Sequence, residues 1–378
     1  MKILHLVSYS IWSGPMPSVY GLASAQRALG HEVSLWYDTK RGSMGGVEEP
    51  AQPIVEPQFS EQPLTLSAKS TPREWIRDCG VLSRYLRQER PDLIHVHLSH
   101  DHVLAKTVLR FSDQRPPLIR TVHARRSLAK RFGQKFLYRD LGGLIFRSQE
   151  DAELYKKDFS ANDTHRVIPS GIDLSRFSPI SQERKTSLRE RWGLPADALV
   201  ICHAGLIAGR GQLELLRAVA ALESFEPWIL YIGAGEQETE LDDAIAASTV
   251  SSRVVRAGYL QGESLVDAYR CADLAFTGKL GNDAGGRIAL EPMACGLPIL
   301  GNTAGALKDI HLPEHGWACL PFDCETIHAN LVDALGRGGS QLRAMGESAH
   351  RWVQQHRGFE SEARATLELY KEACQKSA

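Results

Sequence analysis

Two carboxylates flank a pair of glycines in Gly281-Asn282-Asp283-Ala284-Gly285-Gly286-Arg287-Ile288-Ala289-Leu290-Glu291-Pro292-Met293-Ala294-Cys295-Gly296-Leu297-Pro298. The run follows an apolar strand and predicts a helix over 286–294. Glycines at a helix start let backbone N–H groups approach an anion, and the helix dipole favours negative charge there. Asp283 lies before the helix and Glu291 two turns into it, so both can point at one ligand from different depths. A loop that needs glycine for its turn, with Glu291 on the surface, fits the same residues. The residues alone leave both readings open.

Two further groups carry chemical potential. His95 and His97 are two apart on an apolar strand and share a face, with His123 at the end of another. No third-ligand pattern lies near them in sequence, so no metal is expected. From Arg120 to Arg139 the chain has seven basic residues (Arg120, Arg125, Arg126, Lys130, Arg131, Lys135 and Arg139) and no acidic one. Phe132, Phe136, Leu137 and Tyr138 interleave with them. Such a stretch is either a solvated helix face or a contact for an anionic acceptor or an anionic membrane surface.

The elements that must carry these residues alternate. Lys2–Val7 reads as a strand, a helix with Val19, Leu22, Ala23 and Ala28 on one face follows, and 32–37 is the next strand. Parallel strands with helical crossovers imply a doubly wound sheet. From Asp38 to Thr71 the periodicity fails among prolines, with a short strand expected near Ile54. A helix over 75–88, a strand over 92–98, a helix over 103–111 and strands over 118–122, 144–146 and 166–168 complete a first half. The alternation restarts with strands over 199–203, 228–232, 253–257, 274–277 and 298–301. A last helix is expected over 359–373. The expected organisation is an N-terminal domain over 1–178 and a C-terminal domain over 179–356, with a helix over about 357–378 packing back on the first. The carboxyl ends of both sheets would then face one cleft, where a ligand binds.

Composition narrows the class. The chain has 378 residues, 43% hydrophobic and 24% charged, as a folded multi-domain protein should. A formal charge of −1 argues against nucleic acid as a partner. No apolar run is long enough to span a bilayer, and the first residues do not read as a secretory signal, so the expected place is the cytoplasm. The seven cysteines form no CxxC pair and read as reduced thiols, most of them in apolar segments. The P-loop, GxGxxG, GxSxG, HExxH and Asp-x-Asp patterns are absent, which removes most kinase, dehydrogenase, hydrolase and metalloprotease readings.

With these residues in view, the run Glu291-Pro292-Met293-Ala294-Cys295-Gly296-Leu297-Pro298-Ile299 resembles the signature of retaining GT-B glycosyltransferases of family 4. Asp283 stands where the first Glu of their E-x7-E motif belongs. Pro91-Asp92-Leu93-Ile94-His95-Val96-His97, Thr121-Val122-His123, Ile168-Pro169-Ser170-Gly171-Ile172-Asp173 with Phe177, Arg210-Gly211, and Leu265, Tyr269, Ala272 and Asp273 resemble its other motifs in order. The resemblance implies two Rossmann-like domains, a nucleotide-diphosphate sugar, UDP- or GDP-linked, as co-substrate, and no further cofactor. Glu291 would hold the ribose hydroxyls and Asp283 the donor sugar. The N–H groups of Gly285, Gly286 and Arg287 would cradle the diphosphate, Arg210 would stabilise its leaving charge, and His123 would face the reacting sugar. Acceptor binding would fall to Gly14, His97, Arg125 and Arg126.

There are departures. Gly205 stands where the family usually has the arginine of its GRL motif, so one phosphate-binding cation is missing, and Arg287, at a usually apolar position, is a candidate to replace it. Asp283 is one methylene shorter than Glu, and Ser13-Gly14-Pro15 replaces a Gly-Gly loop. The resulting expectation is a retaining transferase moving a hexose-type sugar to a hydroxyl of a glycan or glycolipid acceptor in cell-envelope polysaccharide or lipopolysaccharide synthesis. It would be cytoplasmic, with a peripheral place on the inner face of the membrane as an option the basic stretch adds. A UDP-sugar 2-epimerase-like isomerase and a non-catalytic sugar-nucleotide binder are the alternatives.

Overall fold

A computed structural model describes residues 1–9, 14–38, 43–44, 47–48, 66, 70–123, 137–159, 164–279 and 286–377. The strands are β1 (Lys2–Val7), β2 (Glu32–Tyr37), β3 (Ser43–Met44), β4 (Val47–Glu48), β5 (Leu93–Val96), β6 (Leu118–Val122), β7 (Gly143–Phe146) and β8 (His165–Val167), then β9 (Val200–Ala204), β10 (Trp228–Ile232), β11 (Val254–Gly258), β12 (Leu274–Thr277), β13 (Ile299–Gly301) and β14 (Gly316–Ala318). They form two six-stranded parallel sheets, ordered β2-β1-β5-β6-β7-β8 and β11-β10-β9-β12-β13-β14. Among the described residues the strands β3 and β4 pair only with each other, antiparallel. The strand expected near Ile54 lies outside the described residues.

Helices cover the sheets: α1 (Met16–Ala28), α2 (Pro72–Glu89), α3 (Ser99–Arg110) and α4 (Gln149–Phe159) in the first half; α5 (Gln182–Arg191), α6 (Gln212–Ala220), α7 (Glu238–Ala246), α8 (Gly262–Arg270), α9 (Arg287–Ala294), α10 (Cys324–Gly336) and α11 (Gly338–His356) in the second; and α12 (Phe359–Ser377) at the end. This is the doubly wound α/β architecture expected from the alternation, built twice. Among the described residues no helix is long and apolar enough to cross a membrane. The described cysteines are all free, with Cys202, Cys271, Cys295 and Cys319 buried.

Strand order fixes where a ligand can sit. In the first sheet the chain runs outward from β1 to β2, then returns to the other side of β1 as β5; in the second, β9 leads out to β11 and returns as β12. Each reversal opens a crevice at the carboxyl ends of two neighbouring strands. Ser8 and His97 follow the first such pair of ends, with His123 at the end of the next strand, β6, and Gly205 and Gly278 follow the second pair.

Local chemistry moves two helix starts upstream of the apolar periodicity. The helix α2 begins at Pro72, not near Trp75, because Thr71 and Glu74 form a capping box, with Thr71 Oγ1 accepting from Glu74 N at 3.3 Å and Glu74 Oε2 from Thr71 N at 2.6 Å. The helix α3 begins at Ser99, not near Val103, because the Asp101 carboxylate accepts the N–H groups of His97 (2.6 Å) and Leu98 (2.9 Å). The strand β14 went unread because it is only three residues, Gly-Trp-Ala.

The last helix completes the first sheet. Leu367, Leu369, Tyr370 and Ala373 are buried in one cluster with Ile3, Val7, Ile119 and Ile145. Arg147, just past β7, pairs with Glu362 at 2.6 Å, both side chains 1% exposed, and Glu362 also accepts the Gly171 N–H at 2.7 Å. Removing one member of such a pair strands a buried charge. Glu362→Ala should therefore cost about 3–5 kcal/mol in urea unfolding and expose the last helix to protease. Loss of less than about 1 kcal/mol would contradict this placement of α12.

Candidate functional site

The first crevice is built from histidines. His5 on β1 stands beside His95 on β5 in register, and His97 and His123 follow the ends of β5 and β6. All four are at most 2% exposed. His5 Nδ1 lies 3.0 Å from His97 Nε2, and His97 Nδ1 lies 3.1 Å from His123 Nε2. His5 Nε2 meets Gln26 Oε1 at 2.8 Å. His95 is held by Thr121 Oγ1 at 2.7 Å and by the Tyr370 hydroxyl at 2.5 Å. Burial drives all four imidazoles towards the neutral form: His5 falls to about 4, and the other three well below their ordinary value.

His5, His95 and His97 offer ring nitrogens within 4.8 Å of one another, the arrangement among the described residues that could hold a metal ion. Every ring nitrogen of the three already has a hydrogen-bond partner, and among the described residues no carboxylate completes the set. An ion would have to break those bonds. His97, expected to touch an acceptor, is fully buried with one ring nitrogen on His5 and the other on His123, so neither nitrogen is free for an acceptor. Arg120, counted in the basic stretch, is also buried and donates to the Leu98 carbonyl, so it adds nothing to a surface patch. Arg125 and Arg126 lie outside the described residues.

The second crevice is built around α9. Gly286 caps this helix at φ +73°, a left-handed conformation that disfavours other residues, and a Cβ there would meet Ile310 Cδ1 at 2.6 Å. Glu291 is 5% exposed. One of its oxygens accepts from the Tyr269 hydroxyl at 2.9 Å and the other from the Arg287 guanidinium one turn earlier. Burial and then the Glu291 charge push the Tyr269 phenol well above its usual range, so it remains a donor. Arg287 also donates to the Gly14 carbonyl at 3.3 Å, a direct contact from one half to the other. Asp283 and Gly285 lie outside the described residues.

Arg210 sits on the loop between β9 and α6. Its carbonyl accepts the Lys279 N–H at 2.9 Å, and a Cβ on Gly278 would lie 2.0 Å from that carbonyl, so only glycine lets the two loops approach. The half-buried guanidinium has no ion-pair partner among the described residues. Gly205 donates its N–H to the Ile232 carbonyl at 2.9 Å, tying the end of β9 to β10. Sequence reasoning missed His5, Gln26 and Tyr370, which occupy apolar runs with no motif around them. It also missed His203 and His311. His203 Nδ1 meets the Phe276 carbonyl at 3.0 Å, and His311 Nε2 meets Thr277 Oγ1 at 2.9 Å.

Comparison with known proteins gives this geometry a family. The family model described as Glycosyltransferase Family 4 matches residues 13–176, and that described as Glycosyl transferases group 1 matches residues 184–355. The chain is 28% identical over 201 residues to the GDP-mannose-dependent monoacylated alpha-(1-6)-phosphatidylinositol monomannoside mannosyltransferase of Corynebacterium glutamicum, covering 51% of this chain and 52% of that protein. It thus spans about half the length of that relative. It is 27% identical over 382 residues to the D-inositol 3-phosphate glycosyltransferase of Arthrobacter sp. (strain FB24), covering 93% of this chain and 88% of that one. The solved structure of Anabaena HepE in complex with UDP-glucose superposes with a TM-score of 0.77 at 18% identity, covering 97% of this chain and 98% of that one, a likeness of fold.

The buried imidazoles make stability depend on pH. Burial lowers His5, His203 and His311 from 6.5 to about 4 in the folded chain. Between those values the unfolded chain binds more protons, so stability is full above pH 6.5 and falls as pH drops towards 4. Urea midpoints measured across this window should decline steadily; a midpoint that stays level or rises would contradict neutral burial.

Proposed function

The chain belongs to the group 1 glycosyltransferases of the GT-B fold, and from that premise we propose that it moves a hexose-type sugar from a nucleotide diphosphate to a hydroxyl of a glycan or glycolipid, with retention. One observation carries the reading. The buried Glu291 carboxylate sits on a glycine-capped helix, directly across from the first half through Arg287 and Gly14. A carboxylate there accepts two ribose hydroxyls, while the helix start receives the diphosphate.

Roles follow from position. Gly286 and Arg287 present N–H groups at the start of α9, with Gly285 and Asp283 just before it serving diphosphate and sugar. Arg210 is the cation for charge that develops on the leaving diphosphate. Gly205 leaves the neighbouring position without a cation. Arg287 can replace it, because a ribose that takes over Glu291 releases the guanidinium at the helix start where the diphosphate lies. His123 meets the reacting sugar from the other side. The leaving phosphate takes the acceptor proton, so no protein base and no metal is assigned. The relatives named for mannosyl and inositol-phosphate chemistry support a polyol or phospho-glycolipid acceptor. The basic residues Arg125 and Arg126 would meet its negative charge, with a cytoplasmic place at an anionic membrane surface as part of the same reading.

Melting the protein with UDP, GDP and their sugar conjugates tests the donor site. Ligand at a hundred times its dissociation constant should stabilise by about 2.7 kcal/mol. One nucleotide should raise Tm, the rise should vanish in Glu291→Gln and shrink in Arg287→Leu. The Gln variant keeps an acceptor for the Tyr269 hydroxyl, so the fold survives the test. No rise with any nucleotide would overturn the donor-site assignment.

Turnover is tested separately. Arg210→Ala should lower kcat by about 10²–10³ with little change in nucleotide affinity. Release of free nucleotide only when acceptor is present is the transferase outcome. Sugar interconversion without release would instead make the protein an isomerase, and binding with neither would make it a sugar-nucleotide binder.

A further inference from the structure

Three of the four buried imidazoles form a hydrogen-bonded line whose direction can be read from its far end, where the fourth, His95, branches off. In order the line runs Tyr370, Gln26, His5, His97, His123, with contacts of 3.4, 2.8, 3.0 and 3.1 Å. A side branch leads from the Tyr370 hydroxyl to His95 Nδ1 at 2.5 Å and from His95 Nε2 to Thr121 Oγ1 at 2.7 Å. A neutral imidazole has one N–H and one lone pair, so each ring that accepts on one side must donate on the other. The line therefore has two self-consistent directions and no mixture of them. A second proton on His5 or His97 would make that ring donate both ways and reverse the direction beyond it, and burial holds all four rings neutral.

The Tyr370 hydroxyl decides between the two directions because it has one proton and two neighbours. Its contact with His95 is 2.5 Å, the length of a strong O–H donor bond, whereas its contact with Gln26 is 3.4 Å. In the first direction Tyr370 donates to His95 Nδ1, and the Gln26 amino group donates over the longer gap to the phenol oxygen. The reverse would have the phenol, the stronger acid, donate across 3.4 Å while an imidazole N–H donated across 2.5 Å. The distances favour the first. With the Gln26 amino group turned to Tyr370, its carbonyl faces His5 and accepts from Nε2–H. His5 Nδ1 then accepts from His97 Nε2–H, and His97 Nδ1 accepts from His123 Nε2–H.

We propose that Gln26 and Tyr370 are positioning residues that hold His123 as its Nε2–H tautomer, leaving a bare Nδ1 that accepts a hydrogen bond from a sugar hydroxyl. The sugar contact rests on the transferase reading; the tautomer does not. Tyr370 reaches the line from α12, so the end of the chain sets the hydrogen-bonding character of a ring in the first crevice.

Nitrogen-15 spectra of histidine-labelled protein test the tautomer with no substrate present, His123 being assigned from its absence in His123→Asn. The expected wild-type spectrum shows His123 protonated on Nε2, with a pyridine-like Nδ1. Tyr370→Phe, which frees the Gln26 amide to turn over, should move His123 towards the other tautomer and slow transfer about tenfold while nucleotide binding is kept. Wild-type His123 protonated on Nδ1 would overturn the proposal, and this readout stands even if Tyr370→Phe does not fold. An unchanged tautomer in a folded Tyr370→Phe would overturn the role of Tyr370. A shifted tautomer with undiminished turnover would overturn the sugar contact and leave the donor-site assignment at Glu291 untouched.

Discussion

Arg147 and Glu362 are a guanidinium and a carboxylate taken almost wholly out of water, and that pair governs how the first half is finished. Two such groups lose hydration worth several kcal/mol each, which only close pairing and additional hydrogen bonds recover. The pairing is close, Glu362 accepts the Gly171 N–H and Arg147 donates to the Ile168 carbonyl at 3.1 Å, while Arg147 Nε and Nη2 are buried without a hydrogen-bond partner among the described residues. The pair joins the end of β7 to the first turns of α12, so the last helix has one register in which to dock. Two turns further along, that register delivers Tyr370 to His95 and Gln26. The ordering of the histidines thus depends on an ion pair that touches none of the four.

The two halves treat their polar groups differently, and the difference suits their roles. In the first, the donors and acceptors of the histidine line are consumed internally up to the outer nitrogen of His123, giving a neutral wall. In the second, the charges stay exchangeable. Glu291 is held by Tyr269 and by Arg287, whose partner a ligand hydroxyl can take over, and the Arg210 guanidinium is unpaired among the described residues. Arg287 also reaches Gly14 on the first half, so a ligand that disturbs the Arg287–Glu291 pair also disturbs a contact between the halves. Ligand occupancy and the relation of the two halves are coupled through one side chain.

Most of the architecture was legible because fully buried parallel strands read as short apolar runs, and Lys2–Val7, Leu118–Val122 and Leu274–Thr277 are such runs. Helix starts were misplaced where a side-chain cap, not an apolar face, set the boundary, as at Thr71 and Asp101. The second crevice was legible through Gly286, Arg287 and Glu291, since a glycine-capped helix start has a local signature. The first was only half legible. His95, His97 and His123 stood out as residues, but their neighbours His5, Gln26 and Tyr370 come from three elements far apart in sequence. Nothing local marks them, and only the strand order and the docking of α12 bring them together.

The docking of α12 has a consequence for how the protein is made. A ribosome releases the six strands of the first sheet long before residues 359–377, yet the sheet needs that helix to cover Ile3, Ile119 and Ile145 and to neutralise Arg147. Until the whole second half has been synthesised, the first must wait with an uncovered apolar face and an unpaired buried cation, the kind of surface that chaperones hold and that aggregates form on. The second half, emerging later, builds two apolar clusters and borrows for one of them Ile172 and Phe177 from the end of the first half, residues already released when it is made. Although it is translated first, the N-terminal half is therefore the one whose folding finishes last.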